Sequence, residues 1–237
     1  MDNDGVLHGK TTVKATLLSR HLLSAESHSW HLEFSTEMAF EFLPGQFISV
    51  VAERVLPAGH PRAGETKVDT RAYSLASAPR GKIFELCLNQ VDGGFFSEYL
   101  CGLIEGDVIR FHGPHGNFTL REHASPVLIL AEETGIAPVR SMLQGAPQLS
   151  AHLIQATYAG APLYGEELTA FAGLRYEPVQ EDDAHAASLA AARTALDAQP
   201  EIREAYVVGL SGFVNAHRAQ LKERGWDRKQ IVFERYD

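Results

Sequence analysis

The first half of the chain, from Lys10 to about Glu122, alternates short apolar stretches with Gly, Pro and Asp residues. The stretches typical of β-strands are TTVKATLLS, SWHLEFS, QFISVVA, KIFELCLNQV and DVIRFHG, together with the extended run Arg71–Ser77 before Pro79. Strands so short and so closely spaced predict an antiparallel barrel or sandwich. The polar segment Glu53–Asp69 predicts an extended loop or a mobile hairpin.

From Ser125 onward the pattern changes to buried strands that alternate with helices. The strand-like runs are PVLILA, HLIQATYAG, AYVVG and IVFERY, and the helix-like runs are APVRSMLQGA, LYGEELTAFAG, the alanine-rich Ala184–Ala198 before Pro200, and GFVNAHRAQLKERG. This order predicts a parallel α/β sheet. We therefore expect two domains, residues 1–122 and 123–237.

The charge and the distribution of apolar residues argue against several classes of function. The chain has 237 residues, 21 basic and 30 acidic, and its net charge of −9 opposes binding to nucleic acid or to an anionic membrane surface. No apolar run approaches the roughly 18 residues of a membrane-spanning helix, and the first ten residues lack the pattern of a signal peptide. We expect no membrane insertion and, by default, a cytoplasmic location.

The cysteines and histidines predict no metal site. Cys87 and Cys101 fit no zinc or iron–sulfur spacing, so we expect thiols that are buried or have no chemical role. His28 and His31, like His112 and His115, are three residues apart, but no acidic or cysteine ligands gather beside them.

The sequence R-A-Y-S-L-A-S at residues 71–77 places a permanent cation, an aromatic ring and two hydroxyls on one extended stretch. In a strand Arg71, Tyr73, Leu75 and Ser77 share one side, and Ala72, Ser74 and Ala76 share the other. One face could thus hold a phosphate and a ring while the other offers a small hydroxyl. Taken alone, the stretch could equally be a surface strand with an ordinary arginine.

Two glycine motifs follow. Gly93-Gly94-Phe95-Phe96-Ser97 predicts the start of a helix, where backbone N–H groups form an anion site suited to a pyrophosphate, although a hairpin turn fits the same residues. Gly113-Pro114-His115-Gly116-Asn117-Phe118 predicts a tight turn that returns Phe118 to the sheet.

Together these motifs resemble those of the ferredoxin–NADP reductase superfamily, whose barrel carries R-x-Y-S-x-x-S, G-G-x-x-S and G-P-x-G-x-F in this order. The resemblance continues through T-G-I-A-P at residues 134–138, through Gly209 and Gly212 at a late glycine turn, and through Glu234 and Tyr236 as E-x-aromatic. It covers Lys10 to Asp237. It implies a two-domain fold, with an N-terminal antiparallel six-stranded β-barrel for FAD and a C-terminal α/β parallel-sheet domain for NAD(P).

The resemblance also implies roles for individual residues. Arg71 would pair with the flavin pyrophosphate, Tyr73 would pack on the isoalloxazine or ribityl portion, and Ser74 would lie near flavin N5. The other expected cofactor contacts are Ala72, Ser77, Gly93, Gly94, Phe95 and Ser97 toward FAD, and Thr134, Gly135 and Gly209 toward NADH or NADPH. Glu234 would act as a proton-relay partner and Tyr236 as a ring-stacking residue, so that Ser74, Glu234 and Tyr236 are the expected catalytic residues.

The chain departs from the family pattern around the nucleotide. Glu132 and Glu133 precede Thr134 where glycines are usual, and their charge opposes a pyrophosphate. Pro162 stands where arginine is frequent, and Val208 replaces a cysteine. The acidic segment 180–183 lacks the cation that a 2′-phosphate requires, so the sequence favours NADH over NADPH.

Three functions remain open on this basis. The first is a reductase that passes electrons from NAD(P)H through FAD to a separate small carrier, an iron–sulfur protein or a flavodoxin. The second is an NAD(P)H:flavin oxidoreductase that uses free flavin. The third is an electron-transfer subunit that keeps FAD but has a degenerate nucleotide site.

Overall fold

The computed structural model describes residues 12–56, 58–59, 61–121, 126–180 and 183–236. The first sheet is built from the six strands β1 (Val13–Ser24), β2 (Ser29–Thr36), β3 (Phe47–Val55), β4 (Thr66–Ser74), β5 (Ile83–Asn89) and β6 (Val108–His115). Helix α1 (Phe95–Gly102) lies between β5 and β6 in the chain.

These strands form an antiparallel barrel. Their order is β4-β3-β6-β1-β2-β5, and an antiparallel bridge between Leu75 and Leu86 joins the two end strands. The interior is filled by aromatic rings, among them Phe34, Phe84 and Phe111, with ring centroids 5.4 Å apart for both the Phe34–Phe84 and the Phe84–Phe111 pair. The predicted barrel is thus confirmed.

The polar segment Glu53–Asp69 is strand at both of its ends, in β3 and in β4. β3 and β4 pair continuously from Phe47 opposite Ser74 to Val55 opposite Thr66, so the segment belongs to a hairpin whose connection runs between Val55 and Thr66. A partly exposed ion pair, in which Arg54 of β3 lies 3.1 Å from Asp69 of β4, joins the two strands within this segment.

The second half forms a five-stranded parallel sheet in the order β11-β10-β7-β8-β9. Its elements are β7 (Val127–Glu132), a 3₁₀ turn (Glu133–Gly135), α2 (Ile136–Gly145), β8 (Ala151–Ala156), α3 (Gly165–Leu168), β9 (Leu174–Val179), α4 (Ala184–Ala198), β10 (Ala205–Gly209), α5 (Ser211–Glu223) and β11 (Ile231–Arg235). The predicted parallel α/β domain is confirmed.

The sequence pattern missed one strand, β9. Its sequence, LRYEPV, carries Arg175, Glu177 and Pro178. β9 lies at the edge of the sheet, where charged side chains reach solvent and a proline need not donate a ladder hydrogen bond.

The change from barrel to parallel sheet falls between His115 and Val127. The predicted boundary between residues 122 and 123 lies outside the described residues. Among the helices that the structure describes, none combines the length and the apolar character needed to cross a bilayer.

Helix α2 fastens the parallel sheet to the barrel segment that follows β4. Arg140 donates to the carbonyl of Ala76 at 2.7 Å, and the Ser141 hydroxyl donates to the carbonyl of Ser77 at 2.6 Å. The backbone N–H of Ala78 donates to Gln144 Oε1 at 3.1 Å. Because residues 76–78 lie two to four positions after Ser74, these bonds fix the end of β4 relative to the second sheet.

Candidate active site

The structure brings together the three residues predicted to be catalytic, although Ser74 is 160 residues away from Glu234 in the chain. Ser74 is buried at the end of β4, and its hydroxyl donates to Glu234 Oε1 at 3.1 Å. The Tyr236 hydroxyl donates to the same Ser74 oxygen at 3.2 Å. The last strand is held in place because Glu234 pairs with Val208 in β10 and the Tyr236 N–H donates to the Gly209 carbonyl at 3.1 Å.

Burial changes the acidity of this cluster. It raises the pKa of Glu234 to about 7, against a smaller lowering by the Ser74 hydrogen bond. It also raises the pKa of Tyr236 well above its ordinary value, and the Glu234 carboxylate adds to that shift. A carboxyl group with a pKa near neutrality can hold or release a proton at the pH of the reaction.

The second glycine motif, at residues 113–118, lies beside Glu234. A Cβ at Gly116 would lie 3.8 Å from Glu234 Oε2 and 2.9 Å from the Phe47 ring. Gly116 adopts φ +100°, which favours glycine. At the end of this motif Phe118 is buried, and its ring centroid lies 5.9 Å from that of Tyr206 in β10. Phe118 therefore packs against the second sheet.

Arg71 and Ala72 are exposed next to the cluster, and Tyr73 is half-buried against the barrel core. The Arg71 guanidinium donates to the backbone carbonyl of Tyr236 at 3.2 Å. The predicted two-residue alternation does not continue to Ser77, because β4 ends at Ser74 and residues 74–77 are all buried.

Gly93 and Gly94 lead into helix α1, as predicted. Gly94 is the N-cap residue and supplies no side chain to satisfy the first N–H groups, while a Cβ at Gly93 would meet no atom within 4 Å. The Arg54 guanidinium lies 6.0 Å from the Phe95 ring, which ties α1 to the β3–β4 hairpin. The Gly93 N–H donates to Glu98 Oε1 at 2.7 Å. The uncapped helix N-terminus and the exposed Arg71 fit a diphosphate ligand such as that of FAD.

Two serines expected in the diphosphate cradle have their hydroxyls turned to other partners. The Ser77 hydroxyl accepts the Glu85 N–H at 3.2 Å, and Ser77 is fully buried between the two sheets. The Ser97 hydroxyl closes the turn before α1, since it donates to the Gly94 carbonyl at 2.9 Å and accepts the Val91 N–H at 3.0 Å. Both hydroxyls bond to the chain itself, and their contacts with a phosphate stay predictions.

The residues expected to approach the nucleotide lie at the carboxyl ends of the parallel strands. Thr134 and Gly135 belong to the 3₁₀ turn after β7, and a Cβ at Gly135 would lie 2.9 Å from the Val208 carbonyl oxygen, so the turn packs directly on β10. Gly209 adopts φ +156°, and a Cβ there would lie 2.6 Å from Glu132 Oε2. Glycine is therefore required at both positions by close packing.

A buried ionic network between the sheets was not predicted. Arg140 pairs with Glu85 of β5 and, at 2.7 Å, with Glu167 of α3, and its guanidinium lies 4.5 Å from the Tyr164 ring. The Tyr164 hydroxyl lies 2.7 Å from His31 Nδ1, and burial lowers the pKa of His31 to about 4. The signal for this network in the sequence is Arg140, a charged residue among the apolar residues of α2.

Both thiols are buried, as the sequence predicts. Burial raises the pKa of Cys87 to about 12 and that of Cys101 to about 11, so both remain protonated. Among the described residues, no group of three or more His, Cys, Asp or Glu side chains is arranged to hold a metal ion.

Comparison with known proteins agrees with this geometry. The family model for the oxidoreductase FAD-binding domain matches residues 14–120, the extent of the barrel. The chain is 33% identical over 251 aligned positions to ferredoxin–NADP reductase B of Sorangium cellulosum strain So ce56, covering 94% of this chain and 97% of that protein. It is 30% identical over 164 positions to the chloroplastic leaf isozyme 1 of ferredoxin–NADP reductase from Oryza sativa subsp. indica, where the match covers 60% of this chain and 44% of that protein.

Solved structures show the same fold. A ferredoxin NADP+ reductase from Neisseria gonorrhoeae with bound FAD and NADP superposes with a TM-score of 0.78 at 19% identity, covering 97% of this chain and 100% of that one. The ferredoxin-NADP+ reductase from Plasmodium falciparum gives a TM-score of 0.77 at 18% identity, covering 95% and 96%. With its barrel, its parallel sheet and its full-length relative, the chain belongs to the ferredoxin–NADP reductase family of FAD-dependent NAD(P)H oxidoreductases.

Proposed function

We propose that this protein holds FAD in the barrel domain, residues 1–122, accepts reducing equivalents from NADH at the α/β domain, residues 123–237, and passes them to a separate small carrier. The observation that carries the proposal is the cluster of Ser74, Glu234 and Tyr236, which joins the end of a barrel strand to the last strand of the nucleotide sheet. Hydride transfer needs two rings held together with water excluded, and a junction between two domains provides that position.

Each residue of the site has a task that follows from its contacts. The exposed Arg71 guanidinium is available for a charge-assisted bond to the flavin diphosphate. Glu234 holds a proton on its half-buried carboxyl group and exchanges it through the Ser74 hydroxyl. The Tyr236 hydroxyl donates to Ser74, which holds the half-buried Tyr236 ring beside the cluster. FAD, when bound, supplies the hydride-accepting ring and releases electrons to the carrier.

NADH rather than NADPH is the proposed donor. The Gln180 side chain donates to the Gly160 carbonyl at 2.7 Å, and Asp183 caps α4 by accepting the Ala186 N–H at 2.9 Å. Neither residue offers a cation to a 2′-phosphate, and an acidic neighbour repels it.

A separate carrier is proposed because the whole chain has only two cysteines, fewer than an iron–sulfur cluster needs. Relatives of this chain bear the name ferredoxin–NADP reductase, and a structural neighbour is described as a ferredoxin reductase in carbazole 1,9a-dioxygenase. An iron–sulfur protein or a flavodoxin fits this role.

The test has two parts. Purified protein should retain FAD through gel filtration, and Arg71→Ala should lose most of it, because a hydrogen bond to a charged group contributes about 1.5–3 kcal/mol. Arg110→Ala is the matched control, since Arg110 belongs to the same barrel but forms an exposed pair with Glu53 at 3.1 Å. Full retention of FAD by Arg71→Ala would contradict the assignment of Arg71.

The second part distinguishes the carrier from free flavin. With NADH as donor, a plant-type ferredoxin or a flavodoxin should be reduced while FAD stays bound to the protein. If the protein elutes without FAD and reduces only added FMN or FAD, it is a flavin reductase instead.

A further inference from the structure

The carboxyl ends of β10, β7 and β8 form a crevice in the parallel sheet. The chain runs from β7 to β8 on one side and later places β10 on the other side of β7, so the strand order reverses between β7 and β10. Ligands of open α/β sheets bind outside the carboxyl ends of the strands at such a reversal. Under the proposed function, this is the crevice that takes NADH.

The side chain of Glu132, the last residue of β7, fills this crevice. Its Oε2 accepts the N–H of Leu210, the residue before α5, at 2.7 Å. Its Oε1 accepts the hydroxyl of Tyr158, which follows β8, at 2.5 Å. One carboxylate therefore bridges all three strand ends, and Glu132 is only 6% exposed.

Neighbouring groups hold the carboxylate in this position. The Tyr158 N–H donates to Glu133 Oε1 at 2.6 Å. This bond holds Tyr158, whose hydroxyl donates to Glu132, in place. Gly209 leaves room for the side chain, because a Cβ there would lie 2.7 Å from the Glu132 Cβ. The charged side chains that act on Tyr158 are Glu132, Glu133 and Asp183, all of them acidic.

A backbone N–H at the start of a helix attracts anions, and the phosphates of a dinucleotide are the anions expected in this crevice. Here the Leu210 N–H is already bonded to a carboxylate of the chain itself. A dinucleotide phosphate that approaches it meets the negative charge of Glu132 and has to displace that side chain.

We propose that Glu132 is an intramolecular competitor for the nucleotide phosphates, locked by Tyr158, and that it sets a low affinity of the crevice for NADH. This proposal rests on the proposed use of NADH at the α/β domain. It differs from simple repulsion by two acidic residues, because it assigns the effect to the residue bonded to Leu210 and Tyr158.

The experiment measures NAD+ binding to the FAD-loaded protein by isothermal titration calorimetry. Glu132→Gly should lower the Kd about tenfold, because the competing charge-assisted bond is removed. Tyr158→Phe should lower it by a smaller factor, since Glu132 keeps its bond to Leu210. Glu133→Gln is the matched control, as it removes one negative charge next to the crevice and leaves both Glu132 bonds in place.

The outcomes separate the alternatives. A gain for Glu132→Gly with none for Glu133→Gln supports the proposal. Equal gains in NAD+ affinity for Glu132→Gly and Glu133→Gln would show charge repulsion alone. A lower melting temperature of Glu132→Gly with an unchanged Kd would show that Glu132 only caps α5. Either result overturns the proposal. If Glu132→Gly does not fold, Tyr158→Phe decides, and an unchanged Kd overturns it. Absence of NAD+ and NADH binding in the wild type and every variant would instead contradict the proposed function.

Discussion

At the level of single residues, the carboxyl group of Glu234 links the site to pH. Burial raises its pKa from 4.5 to about 7, so the folded chain binds this proton more tightly than the unfolded chain. The resulting stabilisation is complete below pH 4.5 and is lost as the pH rises through about 7. In FAD-loaded protein, the melting temperature of the wild type relative to Glu234→Gln should therefore fall across this window.

The Ser74 hydrogen bond gives a second variant for the same measurement. Because the Ser74 hydroxyl stabilises the ionised form of Glu234, Ser74→Ala should move the midpoint of this loss to a higher pH. A wild type and a Glu234→Gln variant with the same pH profile would contradict the raised pKa.

At the level of elements, helix α2 connects the two sheets through the charged side chain of Arg140, which pairs with Glu85. Arg140 is buried, and removing it leaves Glu85 with less compensation between the sheets. Arg140→Met should lower the free energy of unfolding by about 3 kcal/mol in urea titrations, the low end of the usual loss for a buried pair, because Arg80 still pairs with Glu85. Arg224→Met, which breaks the exposed pair with Asp197, should cost about 0–1 kcal/mol. Similar losses in the two variants would contradict a structural role of the buried network.

Elements built from local patterns were predictable, whereas contacts between elements were not. The uninterrupted apolar run of β7 and the alanine-rich α4 with its Asp183 cap follow from neighbouring residues. The ion pair of Arg140 with Glu85 joins residues 55 positions apart, and no local pattern encodes it.

The same distinction applies to the site. The family motifs located Ser74, Glu234 and Tyr236, and these three meet in the structure. They could not show that the hydroxyls of Ser77 and Ser97 bond to Glu85 and to the turn before α1, because side-chain direction depends on where β4 ends and how the turn closes. The identities of Glu132 and Glu133 were visible as departures, but their bonds to Leu210 and Tyr158 were not.

At the level of the whole molecule, the docking of α2 on residues 76–78 should make the two sheets unfold together. The chain has two tryptophans, Trp30 in β2 of the barrel and Trp226 after α5. In Trp30→Phe and Trp226→Phe variants, each remaining tryptophan reports on one domain. Both should show the same urea midpoint, once corrected for the effect of each substitution on overall stability by circular dichroism. Separate midpoints would show that the domains unfold independently.

The central claim is that NADH delivers electrons to FAD held by this chain. Anaerobic stopped-flow mixing of the FAD-loaded protein with NADH and, in parallel, with NADPH tests it most directly, with loss of the flavin absorbance band as the readout. The account predicts that NADH bleaches the flavin band, and that at equal concentrations it does so faster than NADPH. A flavin band that stays oxidised with both nucleotides would contradict the claim and would leave an FAD protein with a degenerate nucleotide site.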